Sequence, residues 1–293
     1  MNPATNDLLA QLDQVTNGLT FGSENDFPFK PVVLETAKDR PLTAETLLEA
    51  IGLIKPQSLD DLLNYINKSK RHEQEHTEPQ TENQSQSIEL VSQEYQEFIE
   101  TLQLNLKDVQ IYCVSRKPLD DETRTTGEDT DVFYLVIGKT QAGDWIGRSP
   151  EIDIDESATY LTEVYPTPDT APSDATSELV NHLRSTTHNL VVPKASFSGS
   201  ENSMIHRFLW NATDTRDWIV DNLLRTTGFV RVYRFEPFEN QDPKLAALDQ
   251  VLRSHLTDLR TYIIGCQSSF WIYTLGQTRD GDWAGVATQA VWT

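Results

Sequence analysis

The chain carries one plan twice, in the same order, and this duplication limits what it can fold into more than any other feature. Gly22-Ser23-Glu24-Asn25 recurs as Gly199-Ser200-Glu201-Asn202, each shortly after a phenylalanine, Phe21 or Phe197. Phe98–Tyr112 lines up with Leu248–Tyr262 and sets Phe98, Leu102 and Leu106 opposite Leu248, Leu252 and Leu256. That i, i+4, i+8 spacing marks one apolar face of a helix. Val132–Gly147 matches Phe270–Gly285, including a Gly-Asp-Trp-x-Gly run in each. Three matches in one order indicate a tandem duplication, and the 293-residue length accommodates two domains of about 100 to 150 residues.

The first copy is the longer, and its surplus is polar. Ser69–Ser87 contains no aliphatic or aromatic residue, so it cannot bury enough surface to offset its ordering entropy and reads as a disordered insertion. Arg116–Thr130 lengthens a hairpin that the second copy closes in few residues. In the first copy the pattern predicts a helix over 6–17, an extended stretch over 28–34, a helix over 44–53 capped by Thr43, and one over 59–67 capped by Ser58. A long amphipathic helix over 89–106 follows, then strands at 109–115 and 132–138, a turn at 141–143 and a last strand from Asp144. The second copy repeats this plan and ends in a strand over 283–293. Helices alternating with a small, largely antiparallel set of strands predict an α+β class, as two layered sandwich domains. The expected boundaries are 1–152 for the first domain, an acidic, mobile linker over 153–176 rich in Pro, Thr and Asp, and 177–293 for the second.

Composition excludes several functions. No run of 18 apolar residues exists and the amino-terminal stretch lacks the features of a signal peptide, so the expectation is a cytoplasmic protein without membrane insertion. Two cysteines, Cys113 and Cys266, exclude a disulfide scaffold and read as buried apolar residues. With 45 acidic against 24 basic side chains the net charge is -21, which opposes direct nucleic-acid binding and suits a basic protein partner.

Candidate chemistry is sparse. His72, Glu73 and His76 spell HExxH, a zinc-binding pattern, but they lie in the polar insertion without an apolar anchor, and the second copy lacks them. Paired acids such as Asp120 and Asp121, or Asp129 and Asp131, fall in or beside the polar hairpin and read as solvated. No phosphate loop or nucleophile elbow is present, so the expectation is a protein that is not an enzyme and uses no cofactor. In Gly143-Asp144-Trp145 and Gly281-Asp282-Trp283, the Gly supplies the positive φ of a hairpin turn and the Trp opens a strand that enters the core. Glu24 and Glu201 stand out instead. They recur at matched places in small polar turns where neither helix nor strand needs an acid, and a carboxylate so placed can pair with an Arg or enter a partner's metal shell.

Both copies resemble the cyanobacterial nuclease A inhibitor family. In the first copy the resemblance rests on Gly18-Leu19-Thr20-Phe21, Ser23-Glu24 and Phe27-Pro28-Phe29, then on Asn105-Leu106-Lys107, Val109–Tyr112 and Val136–Gly143. The second copy keeps Ser200-Glu201, Gly276-Gln277-Thr278, Gly281 and Gly285. The resemblance implies an α/β/α sandwich for each copy and inhibition of a magnesium-dependent, sugar-non-specific nuclease by plugging its active site. It also implies that the Glu after Ser and a Thr closing the last strand carry the contacts, the Thr reaching the nuclease's metal. Glu24 and Glu201 match the first position and Thr293 the second, so the second copy is expected to offer the complete pair. An Asp-Trp pair that the family uses before the long helix has no counterpart in either copy. The alternative reading is a duplicated interaction module or assembly factor that binds another protein without inhibiting a nuclease.

Overall fold

The computed structural model describes residues 3–34, 42–65, 96–115, 132–150, 171–187, 208–237, 242–266 and 269–291. The first copy supplies α1 (Pro3–Thr16), β1 (Thr20–Phe21), β2 (Phe27–Pro28), β3 (Lys30–Leu34) and α2 (Ala44–Ala50). It continues with β4 (Ile54–Gln57), α3 (59–65), α4 (96–105), β5 (Leu106–Ser115), β6 (Val132–Thr140) and β7 (Trp145–Pro150). The second copy supplies α5 (Asp174–Thr187), β8 (Phe208–Thr213), α6 (Arg216–Thr226), β9 (Val230–Arg234), α7 (Pro243–His255), β10 (Thr257–Cys266), β11 (Ser269–Gln277) and β12 (Trp283–Val291). The HExxH residues, the Ser69–Ser87 insertion and the paired acids of the long hairpin lie outside the described residues.

Local chemistry explains these boundaries. Thr43 Oγ accepts the Thr46 N–H at 3.2 Å, and Ser58 Oγ accepts the Asp61 N–H at 3.1 Å while the Asp61 carboxylate returns to the Ser58 N–H at 3.0 Å. Both caps satisfy amide groups that have no partner within the helix. Asp242 caps α7 through the Lys244 N–H, with Pro243 in the first turn. The two copies share even their irregularities: β5 and β10 each bulge directly after a helix, with Asp108 at φ 50° and Asp258 at φ 49°.

The compact units do not follow the repeat boundaries. One unit takes the described residues before Ile51 and after Thr227, and the other takes those between. In the first unit the five-stranded antiparallel sheet runs β3-β12-β11-β10-β9. Leu8 and Leu12 of α1 pack with Leu248 and Leu252 of α7 against Ala284 and Val286 on one sheet face. On the other face Tyr262 sits opposite Tyr273, and its hydroxyl donates to the Leu42 carbonyl at 3.3 Å, just ahead of α2.

The second unit repeats the plan with its sources reversed. Its antiparallel sheet runs β4-β5-β6-β7-β8. Phe98 and Leu102 of α4 and Val180 and Leu183 of α5 share a core with Ile111, Val136 and Ile146. Helix α6 covers the other face, where its Arg216 bonds to Gln110 at 3.1 Å and also to the Tyr112 hydroxyl. Each unit is therefore an α/β/α sandwich, as expected, but each is completed by an α-β-α segment from the opposite copy. Chain connection passes between units at Gly52 and Gly228, which occupy matching turns at φ 73° and 72°. Consecutive domains over 1–152 and 177–293 differ from this arrangement for a clear reason. Both copies present the same apolar spacing at the same places, so α1 finds an equivalent surface on α7 or on α4, and the repeat pattern cannot say which. The expected linker also ends early, because α5 begins at Asp174 and buries Thr176. Among the described residues no helix is long and apolar enough to cross a membrane.

Two predictions follow from this packing. A specific protease site inserted between Thr162 and Glu163 should, after cleavage, give two fragments that still co-elute on gel filtration, because each sheet holds strands from both fragments; consecutive domains would separate. At Gly147 a Cβ would lie 2.6 Å from Leu223 Cδ1 and 2.8 Å from Ile137 Cγ2. Gly147→Ala should therefore lower stability by about 1–3 kcal/mol, read as a lower denaturation midpoint with the m-value unchanged.

Candidate partner-binding site

The Glu24 turn is built on the first unit's core. Strands β1 and β2 pair over two residues, Thr20 with Pro28 and Phe21 with Phe27. So short a ribbon needs anchors. Phe29 supplies one, buried among α1, α7 and β12 and in edge-to-face contact with Phe21 at 6.2 Å. Leu19 supplies another, with its carbonyl accepting the Phe29 N–H at 3.1 Å.

Between these strands the Gly22–Asn25 turn grips the end of β12. The Ser23 hydroxyl donates to the Asn25 carbonyl at 2.6 Å, which closes the turn on itself. The same oxygen accepts the Val291 N–H at 3.4 Å, and the Glu24 N–H donates to the Val291 carbonyl at 3.1 Å. Three residues back along β12, Thr288 donates through its hydroxyl to the Phe27 carbonyl at 3.2 Å. Backbone groups at the end of β12, beyond the stretch paired with β3, are thus satisfied by the turn, and Glu24 is held as an exposed residue beside Val291.

Of the three residues singled out in the sequence, Glu24 is described, and Glu201 and Thr293 lie outside the described residues. The expectation that the second copy brings both members of the pair together falls on residues outside those described. The Glu turn joined to the last strand is that of the first copy, because β3 carries it onto β12.

Both Gly-Asp-Trp runs prove structural, as their turn chemistry suggested. Gly143 and Gly281 sit at φ 101° and 87°; Trp283 is buried, whereas Trp145 is half-buried. Their aspartates do more than the sequence disclosed. Asp282 accepts the Thr5 hydroxyl of α1 at 2.7 Å, and Asp144 accepts the Ser173 hydroxyl at 2.7 Å and its N–H at 2.9 Å where α5 begins. Each hairpin turn of one copy therefore holds the first helix of the other. The available signal was the match of Thr5 with Thr176 at the same place in both first helices, which is visible only once those helices are aligned.

The Ser173 hydroxyl holds the Asp144 carboxyl below the usual carboxylate value; partial desolvation opposes this, and the Ser173 N–H and Thr176 reinforce it. A carboxylate lowered on folding contributes stability above its unfolded pKa, and that contribution is lost as pH falls through the folded value. Asp144→Ala should thus destabilise the second unit by about 1 kcal/mol at neutral pH. The wild-type–variant gap in thermal midpoint should narrow below roughly pH 4.

Among the described residues no group of three His, Cys, Asp or Glu side chains is placed to hold a metal ion. A cavity of about 250 Å³ in the second unit is walled by Leu59, Leu62, Phe98 and Ile111, with Gln57 and Gln103 as polar members and no titratable side chain. A family model described as nuclease A inhibitor-like protein matches residues 6–152 and 198–293. No curated protein matches the chain significantly.

Proposed function

The chain belongs to the nuclease A inhibitor-like family, and from that premise we propose that it binds and inhibits a magnesium-dependent, sugar-non-specific nuclease in the cytoplasm. The family is one of inhibitors, not catalysts, and its members imply a protein partner. One observation carries the reading: the Glu24 turn and its base are locked to the end of β12 by three hydrogen bonds, two of them at Val291 and one from Thr288 to the Phe27 carbonyl. An exposed carboxylate on so constrained a turn loses little freedom on binding, which is what an inhibitor aimed at a basic, metal-containing cleft requires. Glu24 and Thr293 are the residues assigned to contact that cleft, with Glu201 as the matched acid of the second copy.

The charge of -21 supports the same partner class. A nuclease that binds nucleic acid presents positive potential, and an acidic protein is steered onto it as phosphate would be. Residues at the contact then stand where the scissile phosphate would otherwise lie, and the substrate is excluded.

Titration of the full chain into such a nuclease should give stoichiometric loss of activity, and deletion of Thr293 should weaken it at least about tenfold. The association rate should fall steeply between 50 and 500 mM salt, as on-rates set by electrostatic steering do. Unchanged nuclease activity at large molar excess would replace inhibition with the interaction-module reading.

A further inference from the structure

We infer that the partner site is assembled across the two sequence copies, with Glu24 of the first and the end of β12 of the second acting as one unit, and with Ser23 as the positioning residue between them. This rests on the proposed inhibition but adds what the family match leaves open: which of the two matched acids works with the last strand. Four observations converge on it. Strand β3 pairs with β12 from Leu34 opposite Trp283 to Lys30 opposite Ala287, so the residues before β3 must lie along the far end of β12. The Glu24 N–H meets the Val291 carbonyl at 3.1 Å. Ser23 Oγ accepts the Val291 N–H at 3.4 Å while donating to the Asn25 carbonyl at 2.6 Å. Thr288 fixes the base of the turn at the Phe27 carbonyl.

Ser23 is central because a single hydroxyl both shapes the turn and ties it to the strand. Its donated bond fixes the direction in which Glu24 leaves the turn. Its accepted bond holds Glu24 beside Val291 at the end of β12. Both bonds stay within the chain, so Ser23 acts through Glu24 and the strand end at Val291. On this proposal Glu24, and not the matched Glu201, is the acid that works with β12.

The test compares Glu24→Ala, Glu201→Ala, Thr293→Ala, Ser23→Ala and Ser23→Thr in the full chain, with inhibition of a magnesium-dependent, sugar-non-specific nuclease and amide exchange at Val291 as readouts. Glu24→Ala is expected to weaken inhibition about tenfold, and Glu201→Ala to leave it within about twofold. Glu24→Ala and Thr293→Ala should be non-additive, since they report on one contact. Ser23→Ala should speed exchange at Val291 and weaken inhibition, and Ser23→Thr should restore both. A loss that follows Glu201 and spares Glu24, or additive effects of Glu24 and Thr293, would overturn the composite site. Should the wild-type chain inhibit no nuclease, the functional reading fails, but the exchange readout still decides the clasp: Val291 exchange unaltered by Ser23→Ala would overturn it.

Discussion

Much of the first unit hangs on one backbone pairing, β3 of the first copy against β12 of the second. An unpaired outer strand exposes a row of amide and carbonyl groups that must find partners. Once β3 satisfies them, much else follows by chain connection. Helix α1 arrives with its leucines over Ala284 and Val286, Thr5 reaches Asp282, and the Gly22–Asn25 turn falls on Val291. The position of the Glu24 turn is therefore a by-product of sheet order and needs no dedicated scaffold.

The elements themselves were legible in the sequence. Leu248, Leu252 and Leu256 at helical spacing, Thr43 and Ser58 before helices, and Gly-Asp-Trp turns before strands all report on neighbours within a few residues, and all form as read. The α/β/α architecture was also accessible, through the family likeness. What could not be read was which copy supplies which half of each sheet. That choice depends on contacts between residues as remote as Lys30 and Ala287, and the repeat makes the two alternatives nearly equal in pattern. The site inherits the same ambiguity: Glu24 and Glu201 look alike as residues, and only the pairing of β3 with β12 puts the Glu24 turn on Val291.

The duplication is faithful in plan and free in chemistry. The final glycine of each Gly-Asp-Trp-x-Gly run shows this. A side chain at Gly147 would meet Leu223 and Ile219 of α6, whereas one at Gly285 would run into the carbonyl oxygen of Thr274 on the neighbouring strand. The anchoring aspartates differ likewise, Asp282 holding a threonine inside the first turn of α1 and Asp144 holding the residue just ahead of α5. Matched positions have kept their function while their contacts were rebuilt, as expected when packing tolerates substitution but the backbone path does not.

The exchanged arrangement sets an order in time. Residues between Ile51 and Thr227 contain everything the second unit requires, so that unit can close while the remainder of the chain is still being made. Helix α1 and β3 leave the ribosome well before their partner strand β12 and can close on it only after the segment between them has been made. At ordinary translation rates the wait is roughly 10–50 s. Throughout it Leu8 and Leu12 lack the cover that α7 and β12 give them in the folded chain. The Glu24 turn gains its support at Val291 only once β12 has been made.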